Sequence, residues 1–163
     1  MALRNMTAAL ALMAGLGLAA GAAVAADAVF PNTPIGNAVK ARHEHFKQQG
    51  GAFKAINDEL KKDAPSMAVI TPAAVKVKAS AADLPNWFPK GSGPESKLET
   101  DAKPEVWNDA AGFQAAAKKF QAESTKLAAV ATAGDLDAVK AQAKATGGAC
   151  KNCHDTYRVP KKD

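Results

Sequence analysis

Two cysteines three residues apart, with a histidine directly after the second, constrain this chain more than any other feature: Cys150-Lys151-Asn152-Cys153-His154. They are its only two cysteines and lie near its C-terminal end. Two thiols at this spacing followed by an imidazole form the attachment signature of a c-type haem, in which the thiols add to the vinyl groups and the imidazole binds iron. On a helix, residues three and four apart share a face. Cys150 and Cys153 then reach one edge of the porphyrin, while His154, one turn beyond Cys150, brings its ring to the iron. The fold must therefore wrap one large, flat, covalently held apolar body.

Two other chemistries use such residues. A thioredoxin-type redox pair sits at a strand-to-helix turn in a βαβ context, and no β-rich run precedes this motif. A structural zinc site wants four Cys or His ligands, whereas the only other histidines are His43 and His45. One covalent haem c is the reading that accounts for all three residues.

The N-terminal segment reads as a secretory signal peptide over residues 1–25. Arg4 supplies the positive start, Leu10 to Ala23 an apolar stretch, and Ala23-Val24-Ala25 a small-x-small site, with cleavage after Ala25 or Ala26. An uncleaved anchor is the alternative, but the stretch is built of Ala and Gly and ends in small residues rather than a charged stop. Residues 26–163 then form one domain in the periplasm, where haem attachment of this kind takes place, with no membrane insertion after cleavage. The formal charge of +5 falls by one on losing Arg4 and is too small to argue for nucleic acid.

Periodicity predicts helices throughout the mature chain, giving an all-α, antiparallel four-helix bundle with covalently bound haem c. The first helix runs from near Gly36 to Lys62, with Val39, Phe46, Phe53, Ile56 and Leu60 on one face. The second runs from Pro72, in its first turn, to Leu84, where Pro85 stops it. Residues 86–103 read as an irregular connection pinned to the core by Trp87 and Phe88. The third runs from an Asp109 cap to Ala133, Gly134 ends it, and Asp135 caps a fourth that runs from Leu136 towards Arg158. A connection this short makes the last two helices antiparallel neighbours. Aromatic residues make up only 6% of the chain, so a buried porphyrin supplies core volume and couples folding to attachment.

The chain resembles the cytochrome c′ family. The resemblance rests on Gly148 to Arg158 around the motif, on Asp101-Ala102-Lys103-Pro104-Glu105-Val106-Trp107, and on Ala38-Val39-Lys40-Ala41-Arg42 opening the first helix. It implies five-coordinate, high-spin iron bound by His154, with Phe46 closing the opposite face. It also places Arg42, His43 and Asp101 at the haem edge and propionates and Arg158 on the proximal side. At about 100° per residue, Arg42 and His43 fall roughly 40° and 60° either side of Phe46. His43 stands where an amide such as Gln is expected. The plainer alternatives are a core aromatic for Phe46, solvated side chains for Arg42 and His43, and a cation favoured at a helix C-terminus for Arg158.

The function implied is a periplasmic c-type cytochrome that binds nitric oxide or carbon monoxide, transfers electrons, or both. The alternative is a six-coordinate, low-spin electron carrier with Met67 or His43 as second axial ligand. Nothing resembles a catalytic triad, an acidic pair or a polar distal base, so the chain is not read as an enzyme. The expected partners are diatomic gases, small redox proteins docking on Lys151, Arg158, Lys161 and Lys162, and, from the resemblance, a second copy joined through the first two helices.

Overall fold

The computed structural model describes residues 29–160; the expected signal segment, Lys161 and Lys162 lie outside them. Four long helices follow one another: α1 (Pro34–Glu59), α2 (Met67–Asp83), α4 (Ala110–Ala133) and α5 (Leu136–Tyr157), with a single helical turn, α3 (Glu105–Asn108), before α4. α1 packs on α2, α2 on α4, and α4 on α5. Successive long helices reverse direction, which gives an antiparallel four-helix bundle.

The caps explain most of the boundaries. Thr33 Oγ1 accepts the Gly36 N–H at 3.0 Å to start α1, Asp109 accepts the Gly112 N–H to start α4, and Asp135 accepts the Ala138 N–H to start α5. Gly134 ends α4 at φ 79°, in the left-handed region that a side chain would strain. α1 stops at Glu59, short of the expected Lys62. The Glu59 carboxylate accepts Ser66 N–H at 2.9 Å and Lys62 Nζ at 2.6 Å, drawing the chain into its turn.

Pro72 does not open α2; it sits inside a helix that begins at Met67. Its missing N–H leaves the carbonyl of Ala68 without a helical partner, and Ala68 is exposed, so the gap falls on the solvent side of the helix. The connection holds two short 3-10 turns, Leu84–Trp87 and Pro94–Ser96, and Trp87 is buried with its Nε1 donating to Asp83 Oδ2 at 3.0 Å.

The bundle is solid at one end and hollow at the other. Ile56, Ile70, Leu127 and Val139 are fully buried and come from all four long helices. Each such aliphatic side chain contributes roughly 1.5–3 kcal/mol on burial. Towards the other end the walls turn aromatic, and Phe46, Phe88, Phe113 and Tyr157 form an edge-to-face chain with centroids 6.0, 4.9 and 5.3 Å apart.

Candidate haem site

A cavity of about 1020 Å³ opens at the hollow end, between α1 and α5, with α2, α4 and the 100–106 segment behind it. That exceeds the roughly 300–1,000 Å³ typical of small-molecule pockets. All eight residues singled out from the sequence line it: Arg42, His43 and Phe46 from α1, Asp101 from the connection, and Cys150, Cys153, His154 and Arg158 at the end of α5.

One contact fixes how the two walls face each other. A Cβ on Gly147 would lie 3.5 Å from Phe53 Cζ, so these residues share a level of the bundle. α1 and α5 are antiparallel with equal rise, so seven residues back from Phe53 and seven forward from Gly147 bring Phe46 level with His154. The phenyl ring and the imidazole stand on opposite walls.

Cys150 and Cys153 are half-buried and unbonded to each other. Burial, then the neighbouring Cys153, pushes the Cys150 thiol up to about 11, and burial also raises Cys153. Both are therefore protonated at neutral pH. A disulfide-exchange pair needs a ready thiolate, so this environment argues against redox chemistry at the motif and fits sulfurs destined for thioether bonds. His154 is open to solvent through the cavity mouth, yet protein packs closely around it. That burial, together with the Arg158 charge, lowers its imidazole pKa, leaving Nε2 or Nδ1 available as a ligand.

Arg42 has partners the sequence did not suggest. Its side chain is buried, with Nη1 donating to Ser92 Oγ at 2.9 Å and Trp87 O at 3.4 Å, and Nη2 to Ser92 O at 2.8 Å and Thr100 Oγ1 at 2.9 Å. It also lies 4.9 Å over the Phe88 ring. Arg42 is thus the pin of the 87–100 connection as well as part of the cavity wall, and burial lowers its pKa to about 10. The Glu95 carboxylate nearby opposes that shift in part.

Asp101 and Arg158 form an ion pair with each other, Nη2 to Oδ2 at 2.8 Å. Backbone bonds from Val159 N–H to Asp101 O and from Lys103 N–H to Tyr157 O lock the same two segments together. An exposed pair of this kind contributes only about 0–1 kcal/mol, so its role is to hold the rim. His43 packs edge-on against Phe30 at 5.1 Å. Sequence spacing missed Gln49 as a wall residue and marked Phe53, Phe113 and Phe120 only as core, although all four line the cavity. Gln49 Oε1 is buried without a hydrogen-bond partner among the described residues.

Tyr157 closes the floor, donating its hydroxyl to Asp109 Oδ2 at 2.7 Å. That carboxylate, then burial, pushes the phenol up to about 12. The folded state thus holds a proton that the unfolded chain releases near 10. Its stabilisation is complete below about 10 and is lost as pH rises through 12. Tyr157 is the only tyrosine, so phenolate absorbance reads it alone. The phenolate is expected to appear about two pH units later in folded than in denatured protein, and Asp109→Asn should bring the folded midpoint down; a native midpoint near 10 would contradict this.

The residues present fit a covalently held porphyrin: two free thiols and an imidazole on one helix, an aromatic cavity of matching scale, and a buried guanidinium at its wall. A sequence profile of the family described as cytochrome c′ matches residues 37–158. The cytochrome c′ of Alcaligenes xylosoxydans xylosoxydans is 38% identical over 125 residues, covering 77% of this chain and 95% of that protein. That of Rubrivivax gelatinosus is 37% identical over 123 residues, covering 76% and 95%. The crystal structure of the Rubrivivax gelatinosus protein superposes with a TM-score of 0.70 at 35% identity, covering 76% of this chain and 96% of that one. A nitric oxide complex of a variant of Alcaligenes xylosoxidans cytochrome c prime gives 0.70 at 34%, covering 78% and 97%. The chain belongs to the cytochrome c′ family of covalent haem c proteins.

Proposed function

We propose that this chain is a periplasmic cytochrome whose haem iron is five-coordinate, bound by His154 alone, and takes up nitric oxide or carbon monoxide on the Phe46 side. Covalent haem supplies an iron that binds small gases and exchanges one electron. The observation that carries the reading is the wall opposite His154: it is formed by Phe46, and no methionine lines the cavity among the described residues. Cys150 and Cys153 tether the porphyrin edge to α5, and His154, on the next turn, is the axial ligand. Phe46 excludes water and crowds the approach of a gas. Arg42 and His43 stand at the rim with Asp101 and Arg158, where the cations meet the propionates. The complexes with nitric oxide and with carbon monoxide known for variants of the Alcaligenes xylosoxidans protein support gas uptake.

Residues 1–25 direct export in this reading. Lys151 and Arg158 flank the site as a landing surface for an acidic redox protein, and α1 with α2 supplies a homodimer face. Ferrous absorption tests the coordination: a broad, unsplit visible band is expected. Sharp split bands would instead indicate six-coordinate, low-spin iron, with His43, which lines the cavity, as the candidate second imidazole. Phe46→Ala should raise carbon monoxide affinity roughly tenfold or more, equivalent to removing a steric cost of about 1.4 kcal/mol. Unchanged affinity would remove Phe46 from the distal role.

A further inference from the structure

We propose that Tyr157 is a redox-active residue, giving one electron to a haem oxidised by hydrogen peroxide while its proton passes to Asp109. The inference goes beyond gas uptake and rests on one premise of that reading, the open iron position opposite His154.

Three observations support it. The first is placement. Tyr157 lines the cavity and lies three residues after His154 and four after Cys153, so it neighbours both on α5. The chain has one tyrosine and two tryptophans, the aromatic side chains from which an electron is most readily drawn. Neither Trp87 nor Trp107 lines the cavity, and Trp107 Nε1 donates only to the carbonyls of Phe88 and Pro89, which do not accept a proton. The second observation is the base. Tyr157 Oη donates to Asp109 Oδ2 at 2.7 Å, within the roughly 2.6–3.2 Å reach of a general base. The other oxygen of that carboxylate accepts the Gly112 N–H at the start of α4, so the helix end holds the acceptor in place. The third is an exit. Tyr157 is buried whereas Asp109 is exposed, and a proton received there leaves to solvent.

A phenol stripped of one electron becomes a strong acid, so a base already hydrogen-bonded to it lets electron and proton leave together. The proton does not leave first at neutral pH, because that carboxylate and burial push the phenol up to about 12. Haem supplies one-electron and oxygen chemistry. Hydrogen peroxide, the oxidant, withdraws two electrons from the haem as its O–O bond breaks, one oxygen leaving as water and the other remaining at the haem. Tyr157 returns one of the two electrons. Its O–H bond breaks, the proton goes to Asp109 Oδ2 and then to solvent, and a neutral phenoxyl radical remains on the ring, packed edge-to-face on Phe113.

The test uses the full haem-loaded chain in its ferric state, mixed with hydrogen peroxide and frozen at once for electron paramagnetic resonance. A radical signal is expected that narrows when the chain is grown with ring-deuterated tyrosine, since Tyr157 is the only tyrosine. Tyr157→Phe, which keeps the ring and loses the hydroxyl, should lack that signal, and in Asp109→Asn it should form roughly a hundredfold more slowly. The latter substitution keeps an N-cap for α4 but removes the proton acceptor. Deuteration is read in the unaltered chain, so the outcome does not depend on either variant taking up haem. A signal indifferent to ring deuteration would place the radical on a tryptophan and overturn the inference, as would an Asp109→Asn signal formed at the wild-type rate. Carbon monoxide added to the reduced wild type separates the two readings. Protein that binds the gas yet yields no tyrosyl radical overturns the role of Tyr157 alone, and protein that does neither overturns the gas-binding reading as well.

Discussion

Replacing Cys150 and Cys153 together by Ala is expected to yield a helical but loosely packed chain rather than a weakened native one. The two thioether tethers are lost, so haem no longer stays with the chain under denaturing conditions. At roughly 24 cal/mol per Å³ of residual cavity, a rigid, dry space of the size seen here, about 1020 Å³, would cost about 25 kcal/mol. Net stabilities are only about 5–15 kcal/mol, so even a third of that cost is decisive. The walls must collapse or water must fill them, and either destroys the fixed packing of Phe46, Phe88, Phe113 and Tyr157. Far-UV circular dichroism should retain much of the helix signal, near-UV dichroism should flatten, and dye binding to exposed apolar surface should rise. A cooperative melt with native near-UV dichroism would count against this.

Arg42→Ala should be the most damaging substitution outside the motif, at about 3–5 kcal/mol. It leaves the carbonyls Ser92 O and Trp87 O unpaired and takes a donor from Ser92 Oγ and Thr100 Oγ1, which keep their bonds to Pro89 O and from Ala102 N–H, and a buried polar group left unpaired costs roughly 1–3 kcal/mol before water relieves part of it. The connection it pins carries Trp87 and Phe88, both of which pack on Phe46, so the loss reaches the cavity wall. A fall in Tm of roughly 10 °C or more follows for a domain of this size. Arg42→Lys should recover less than half, because one ammonium cannot span acceptors that a planar fork reaches on two sides. A melting midpoint within about 3 °C of wild type would show that the connection holds without Arg42.

Most of the helical frame was legible because its ends are marked by local chemistry. Asp109, Gly134 and Asp135 act within three residues of themselves, and the structure uses each as a cap. Pro72 misled because a proline signals a helix start only where its missing N–H is already an orphan. Here an exposed Ala68 carbonyl tolerates the gap one turn in. α3 escaped because four residues are too few to show a period. The Cys150 to His154 motif was readable as chemistry since its three residues adjoin in sequence. The bonds of Arg42 to Trp87, Ser92 and Thr100 span 45 to 58 residues, and no spacing rule reaches across a loop of that length. Gln49 was passed over for a related reason: a glutamine on a helix is usually solvated, and only the packed bundle shows its oxygen enclosed.

The abrupt link at Gly134 between α4 and α5 bears on the order in which the cavity is assembled. Contacts close in sequence form sooner than distant ones, and these two helices meet through a turn of one or two residues. The helix that bears the thiols is therefore expected to gain its neighbour early, through this local hairpin. α1 comes from the far end of the domain and reaches α5 only across the width of the cavity. The wall behind His154 is thus expected to form as a platform first, with the wall of Phe46 and Gln49 laid over it afterwards.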